Sequence, residues 1–221
     1  MWDKTVIMMI VTGIGETLYM TLGSTLFGYI LGLPLGVLLT VTDEDGIRPN
    51  RAVYKALDFV TNILRSIPFL ILLILVIPLT RIIVGKTYGP TATIVPLTIA
   101  AAPFIGRMVE SSLKEVDRGV IEAAQSMGAS TWQMITKVLL TEARTSLIVN
   151  ATIAVGTILG YSAMAGTVGG GGLGDIAIQY GYYRYEAGIM IVTVILLILL
   201  VQIMQGIGMV ISKKIDHRRI K

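Results

Sequence analysis

Three stretches of this sequence have residue types and spacings that could do chemistry. The first is the glycine run Gly169–Gly172, followed by Leu173, Gly174 and Asp175. Such a run can wrap phosphate in backbone N–H groups, but a phosphate-binding loop also needs Gly-Lys followed by Ser or Thr. Here Gly174 is followed by Asp175 and Ile176, with no lysine near, so the chain shows no nucleotide site. The run is expected to be a flexible loop suited to docking or gating. The second stretch holds Glu122, Ala123, Ala124 and Gly128, and its chemistry is protein docking. The two alanines are small enough to let another surface approach, and Glu122, Gln125 and Ser126 supply polar contacts around them. The third is Tyr161, Ser162 and Met164. The hydroxyls could line a path with weak hydrogen-bonding groups, and the thioether adapts to changing contacts; ordinary packing is the other reading of all three. Catalysis has little to stand on. There are no cysteines, and the one histidine, His217, lies in a charged tail. Thiolate chemistry, histidine metal sites and catalytic triads are therefore excluded or nearly so, and neither a catalytic nor a metal site is expected.

The docking stretch sits in a segment, Arg107 to Thr145, too long for a plain connection. It reads as two short helices within 117–141. Asp117 can cap the first, which runs from about Arg118 to Met127 with Val120, Ala123, Ala124 and Met127 on one face. Gly128 ends it as a left-handed C-cap residue. Ser130 and Gln133 form a capping box for the second, on which Trp132, Ile135 and Leu139 share a face. A surface helix that merely returns the chain to its next segment is the alternative reading.

The elements around these residues belong in lipid. Of 221 residues, 54% are hydrophobic and 14% charged, against about 45–50% and about 25% in soluble domains. Apolar runs mark five membrane spans near 17–42, 67–84, 91–108, 146–168 and 187–211, so the expected fold is an all-α membrane protein in a single domain, 1–221. From Thr5 to Thr42 only Glu16 is charged. That is too long for one straight span, so a surface helix over 5–15 is expected before it, broken at Gly13 and Gly15. A cleaved signal peptide is not expected, because Met1-Trp2-Asp3-Lys4 has no basic region.

Charge orients the spans. Lys and Arg number 3 in the Asp43–Asp58 loop, 5 in Arg107–Thr145 and 5 in the tail, against 4 on the other side. The positive-inside rule then puts the N-terminus outside and the C-terminus in the cytoplasm. The net charge of +4 reflects this loop asymmetry and does not indicate nucleic-acid binding. Arg65 reads as a snorkelling anchor. Glu110 lies within salt-bridge reach of Arg107 by helical spacing. Gly28, Gly32 and Gly36, and again Gly156 and Gly160, recur every four residues, a spacing for close helix pairing within the chain or between subunits. Pro34, Pro68, Pro78, Pro96 and Pro103 can kink the helices that hold or adjoin them.

The pattern Glu122-Ala123-Ala124-x-x-x-Gly128, nine residues, Val138-x-Leu140 resembles the EAA motif of permease subunits of bacterial ABC importers. Thr141 stands where that pattern has Pro, and Asp117 where many relatives have Pro. Arg65-Ser66-Ile67-Pro68-Phe69, Ala102-Pro103-Phe104-Ile105, Gln179-Tyr180-Gly181-Tyr182 and the stretch from Ser162 to Asp175 are similar to methionine-importer permeases. The resemblance implies a type I ABC importer permease fold, with a cytoplasmic coupling helix carrying Glu122, Ala123, Ala124 and Gly128. It places Met164 near a pore gate. It further implies a homodimer in the bacterial inner membrane, two cytoplasmic ATPase subunits that hold ATP and Mg, and an external substrate-binding lipoprotein. This chain would bind no cofactor and catalyse nothing; it would pass L-methionine, and D-methionine in many relatives, by alternating access.

Two other readings compete: a related ABC importer for another amino acid or small solute, and an ion-coupled secondary carrier. Carriers show repeated halves, and no repeat is visible here. A proton relay would need ionisable residues at mid-depth, and a membrane-embedded enzyme clustered His, Asp or Glu; neither pattern appears.

Overall fold

Apolar length decides which segments become the long helices. In the computed structural model, which describes residues 3–215, the elements run α1 (Lys4–Thr42), α2 (Arg51–Ser66), α3 (Phe69–Leu75), α4 (Ile77–Val84), α5 (Pro90–Lys114) and α6 (Arg118–Ser126). They continue with α7 (Thr131–Gln133), α8 (Leu140–Glu142), α9 (Arg144–Ala165), α10 (Gly172–Ile176) and α11 (Ala187–Ile215). No strand occurs among the described residues. Helices α1, α5 and α11, together with the segment Arg144–Val168 that contains α9, are long and apolar enough to cross a membrane; α2 with α3 make a fifth span if taken as one broken crossing. His217 and the tail from Asp216 onward lie outside the described residues.

Several boundaries differ from the sequence expectation for physical reasons. Helix α1 is unbroken from Lys4, so residues 5–15 are not a separate surface helix. Gly13 is a packing position: a Cβ there would collide with Ile176 Cδ1. The expected span 67–84 is two short helices, α3 and α4, parted at Val76 (φ −89°, ψ −1°). Pro78, just inside α4, has no N–H to give the preceding turn, so one continuous helix would lose a bond there. The expected loop Asp43–Asp58 ends early, because α2 begins at Arg51. Asn50 caps it, its Oδ1 accepting from Val53 N at 3.2 Å.

The chain forms two compact units, and α1, α5, α9 and α11 each contribute to both. One unit contains α1 up to Gly28, Ile67–Ala101 and Val155–Gln205. Its core gathers Met20, Phe69, Leu73, Leu97 and Ala165, with Tyr161 packed against them. A second cluster joins Ile10, Leu173, Ile176 and Ile189. The other unit contains Tyr29–Ser66, Ala102–Ala154 and the stretch from Gly206. Here the glycine stripe of α1 meets α5: a Cβ on Gly32 would fall 2.7 Å from Ala102 O and 2.8 Å from Ile105 Cβ. Close backbone approach replaces the hydrophobic effect as the packing force between helices in lipid. Asn150 of α9 adds a polar tie to α5, donating to Ser112 Oγ at 2.7 Å and to Met108 O at 3.2 Å.

Gly32→Val should cost about 1–3 kcal/mol through overpacking. Thermal unfolding in detergent reads this as a lower midpoint, while Gly15→Ala, with nothing within 4 Å of its added Cβ, should hold or slightly raise the midpoint, because alanine favours a helix interior over glycine.

Candidate functional site

The docking unit is built from reciprocal local caps. Asp117 opens α6 by accepting from Gly119 N at 2.8 Å. Gly128 closes it with φ of 79°, a conformation that suits a residue without Cβ. Gly128 N donates to Gln125 O at 2.9 Å, and Ala129 N donates to Ala124 O at 3.1 Å. That bond pair is a Schellman motif. Ser130 then starts α7 with a complete capping box: Ser130 Oγ accepts from Gln133 N at 3.3 Å, and Ser130 N donates to Gln133 Oε1 at 2.9 Å. The helix–glycine–helix unit read from the sequence is therefore present.

Its faces divide differently from the expectation. Ala124 is buried, whereas Val120, Glu122, Ala123 and Met127 are exposed, Met127 at 81%. Met134 and Leu139 point inward, and Trp132 is 72% exposed, so Trp132 and Leu139 do not share a buried face. The cause is a π-helical turn over Met134–Leu139, whose wider winding stacks residues five apart. Thr141, at the position where the EAA pattern has Pro, donates its hydroxyl to Thr136 O at 3.2 Å and satisfies a carbonyl of that turn. The outcome is that Val120, Ala123 and Met127 of α6, and Trp132 of α7, are all left exposed.

An ion network supports this unit from the end of α5. The Glu110 carboxylate, 4% exposed, pairs with Arg107 Nη1 at 2.7 Å and with Lys114 Nζ at 2.9 Å. Arg107 also binds Asp58 of α2 and takes Asn62 Oδ1 at 3.0 Å. Lys114 reaches Asp43 at 2.7 Å and lies 5.8 Å above the Tyr54 ring centroid. The Arg107–Glu110 pair was expected from helical spacing. Asp58 and Asp43 were not, since their partners are distant in sequence.

The residues expected near a gate lie close together near the end of α9. Met164 is 47% exposed. Tyr161 stacks on Phe69, centroids 4.6 Å apart. Ser162 is 1% exposed and its hydroxyl donates to Leu159 O at 2.7 Å, so its bonding capacity is directed into its own helix. The glycine run is not the loose loop expected. Gly169 O accepts from Gly89 N at 2.9 Å, and Gly170 O accepts from Thr93 Oγ1 at 3.2 Å. Gly172 N donates to Glu16 Oε2 at 2.7 Å, and Leu173 N donates to Thr17 Oγ1 at 2.9 Å. Glu16, the lone charge of the first apolar run, thus holds this segment. Arg65 is exposed in the last turn of α2.

Arg107→Met should leave Asp58 without its cation and buried Glu110 with Lys114 alone, and destabilise the solubilised protein by about 3 kcal/mol, the low end for a broken buried pair. Arg118→Ala, which breaks the exposed pair Arg118–Asp45, should cost about 1 kcal/mol or less. Chemical denaturation of both variants against the unmodified chain separates the two cases.

Comparison with known proteins accords with this geometry. The model of the family described as binding-protein-dependent transport system inner membrane component matches residues 32–217. A probable D-methionine transport system permease protein of Vibrio cholerae is 52% identical over 210 residues, 95% of this chain and 93% of that protein. The D-methionine transport system permease protein of Escherichia coli is 52% identical over 158 residues, 72% of this chain and 73% of that protein. A chain of the MetNI methionine ABC transporter, solved in inward-facing conformations, superimposes with a TM-score of 0.96 at 48% identity, covering 97% of this chain and 100% of that one. An amino acid ABC transporter at 17% identity and a TM-score of 0.76 shares the fold. The chain belongs to the family of binding-protein-dependent transport system inner membrane components, and its fold is that of a type I ABC importer permease.

Proposed function

We propose that this chain is the permease subunit of an ATP-driven importer of methionine. The observation that carries the reading is the match along 97% of the chain to a subunit of a methionine ABC transporter. Substrate specificity follows the relatives, whose names specify D-methionine. Two copies would form the translocation path and two separate ATPase subunits would hold ATP and Mg. An external binding lipoprotein would deliver substrate. The basic loops orient the chain with its N-terminus outside and its C-terminus in the cytoplasm.

In this reading Glu122, Ala123, Ala124 and Gly128 are the coupling residues. Exposed Ala123 lets the ATPase surface close on α6, and the Val120, Met127 and Trp132 side chains supply apolar contact area around it. Buried Ala124 and left-handed Gly128 fix how α6 is presented. ATP binding closes the two ATPase subunits; their approach is passed through residues 117–141 to the spans, which open outward, and hydrolysis returns them inward. Met164 is the gate residue most available to substrate, with Tyr161 and Ser162 as its packing support.

The test is uptake of labelled methionine by cells or proteoliposomes with and without this chain. The unmodified complex should take up methionine only when ATP is supplied. Ala123→Trp should insert normally yet lower uptake at least about 30-fold, the loss expected of a hot-spot-sized penalty. Uptake that needs no ATPase, or that ignores the substitution at Ala123, would remove the importer reading.

A further inference from the structure

Two ion pairs straddle the bend between α5 and α6. Lys114 ends α5 and Arg118 begins α6. Opposite them, in the connection after α1, stand Asp43 and Asp45. Lys114 Nζ lies 2.7 Å from Asp43 Oδ2, and Arg118 Nη2 lies 2.8 Å from Asp45 Oδ2. The acids are two residues apart and the bases four, so one short loop reaches across the whole bend. That loop is folded back on α1: Arg48 N donates to Val41 O at 3.0 Å and Asn50 N donates to Thr42 O at 2.9 Å. It therefore carries the end of α1 with it.

Asp43, Asp45, Lys114 and Arg118 line one open cleft of about 430 Å³, with Thr40, Ile47 and Ile121 beside them. The hydrogen bond from Lys114 holds the Asp43 carboxyl below the usual carboxylate range, so the first pair stays ionised at neutral pH. Lys114 also binds buried Glu110, which anchors the clip to the ion network of α5.

We propose that Asp43 and Asp45 are positioning residues for energy coupling: with Lys114 and Arg118 they clip the α1–α2 loop across the α5–α6 bend. The docking helix and the adjoining ends of α1 and α5 then move as one body. The clip rests on the docking role proposed above for α6.

The chain has no native cysteine, so spin labels can be placed at Ile47→Cys and Gln125→Cys in the complete reconstituted complex. The label-to-label distance within one copy, read in complexes whose labelled copies are diluted with unlabelled ones, should be single and narrow. It should broaden in Asp43→Asn/Asp45→Asn and in Asp45→Arg, and narrow again when Asp45→Arg is combined with Arg118→Asp. In the same preparations, the Asn pair should retain its ATPase subunits while methionine taken up per ATP hydrolysed falls about fivefold, the factor two partly exposed ion pairs support. A distance indifferent to the Asn pair, a swap that fails to restore it, or unchanged uptake per ATP despite a broadened distance would each overturn the clip. A complex without ATP-driven uptake before any substitution would instead overturn the importer reading, and the distance measurements would still decide whether the clip exists.

Discussion

A carboxylate taken out of water must be met by cations, and Glu110 organises its surroundings on that account. Burial of an ionised group is costly unless opposite charge and hydrogen bonds replace the lost hydration. Arg107 and Lys114 lie one turn before and one turn after it on α5, and both reach it. Each cation then has donors left over. Arg107 spends them on Asp58 and Asn62 of α2, Lys114 on Asp43 beyond α1. A single acid on α5 thereby ties together three segments that share no continuous helix. The docking unit starts four residues beyond Lys114, so its place is set by this network before its own caps act.

Those caps explain why a segment with so little core can present a defined surface. Helix α6 has nine residues and α7 three, lengths at which isolated helices do not persist in water. Asp117, the Schellman bonds at Gly128 and the Ser130–Gln133 box satisfy backbone groups that would otherwise be left open. With its backbone satisfied locally, α6 can leave Ala123 and Met127 uncovered for a partner. The Met134–Leu139 π-turn serves the same end, since it sends Met134 and Leu139 inward and leaves Trp132 outside.

What was legible in the sequence is what depends on neighbouring residues. Asp117, Gly128, Ser130 and Gln133 act within a few positions of one another, and Arg107–Glu110 within one turn, so spacing alone located them. The long apolar runs likewise showed their helices, because lipid leaves the backbone few alternatives. The rest needed the fold. Asp58 meets Arg107 across 49 positions and Glu16 meets Gly172 across 156, distances at which composition carries no signal. Gly13 looked like a helix break, whereas its missing side chain makes room for Ile176. The glycine run looked loose because glycine is permissive, yet Glu16, Thr17, Gly89 and Thr93 pin it through backbone atoms that no sequence pattern reveals. Pro78 alone could have warned that α3 and α4 are separate.

Helix α1 has 39 residues without interruption. At 1.5 Å per residue its path is about 58 Å long, roughly twice the thickness of a hydrocarbon core of about 30 Å. Several turns must therefore stand among headgroups or in water. A thicker or thinner bilayer would move the waterline along this helix without breaking its backbone hydrogen bonds, of which Pro34 already leaves one unmade.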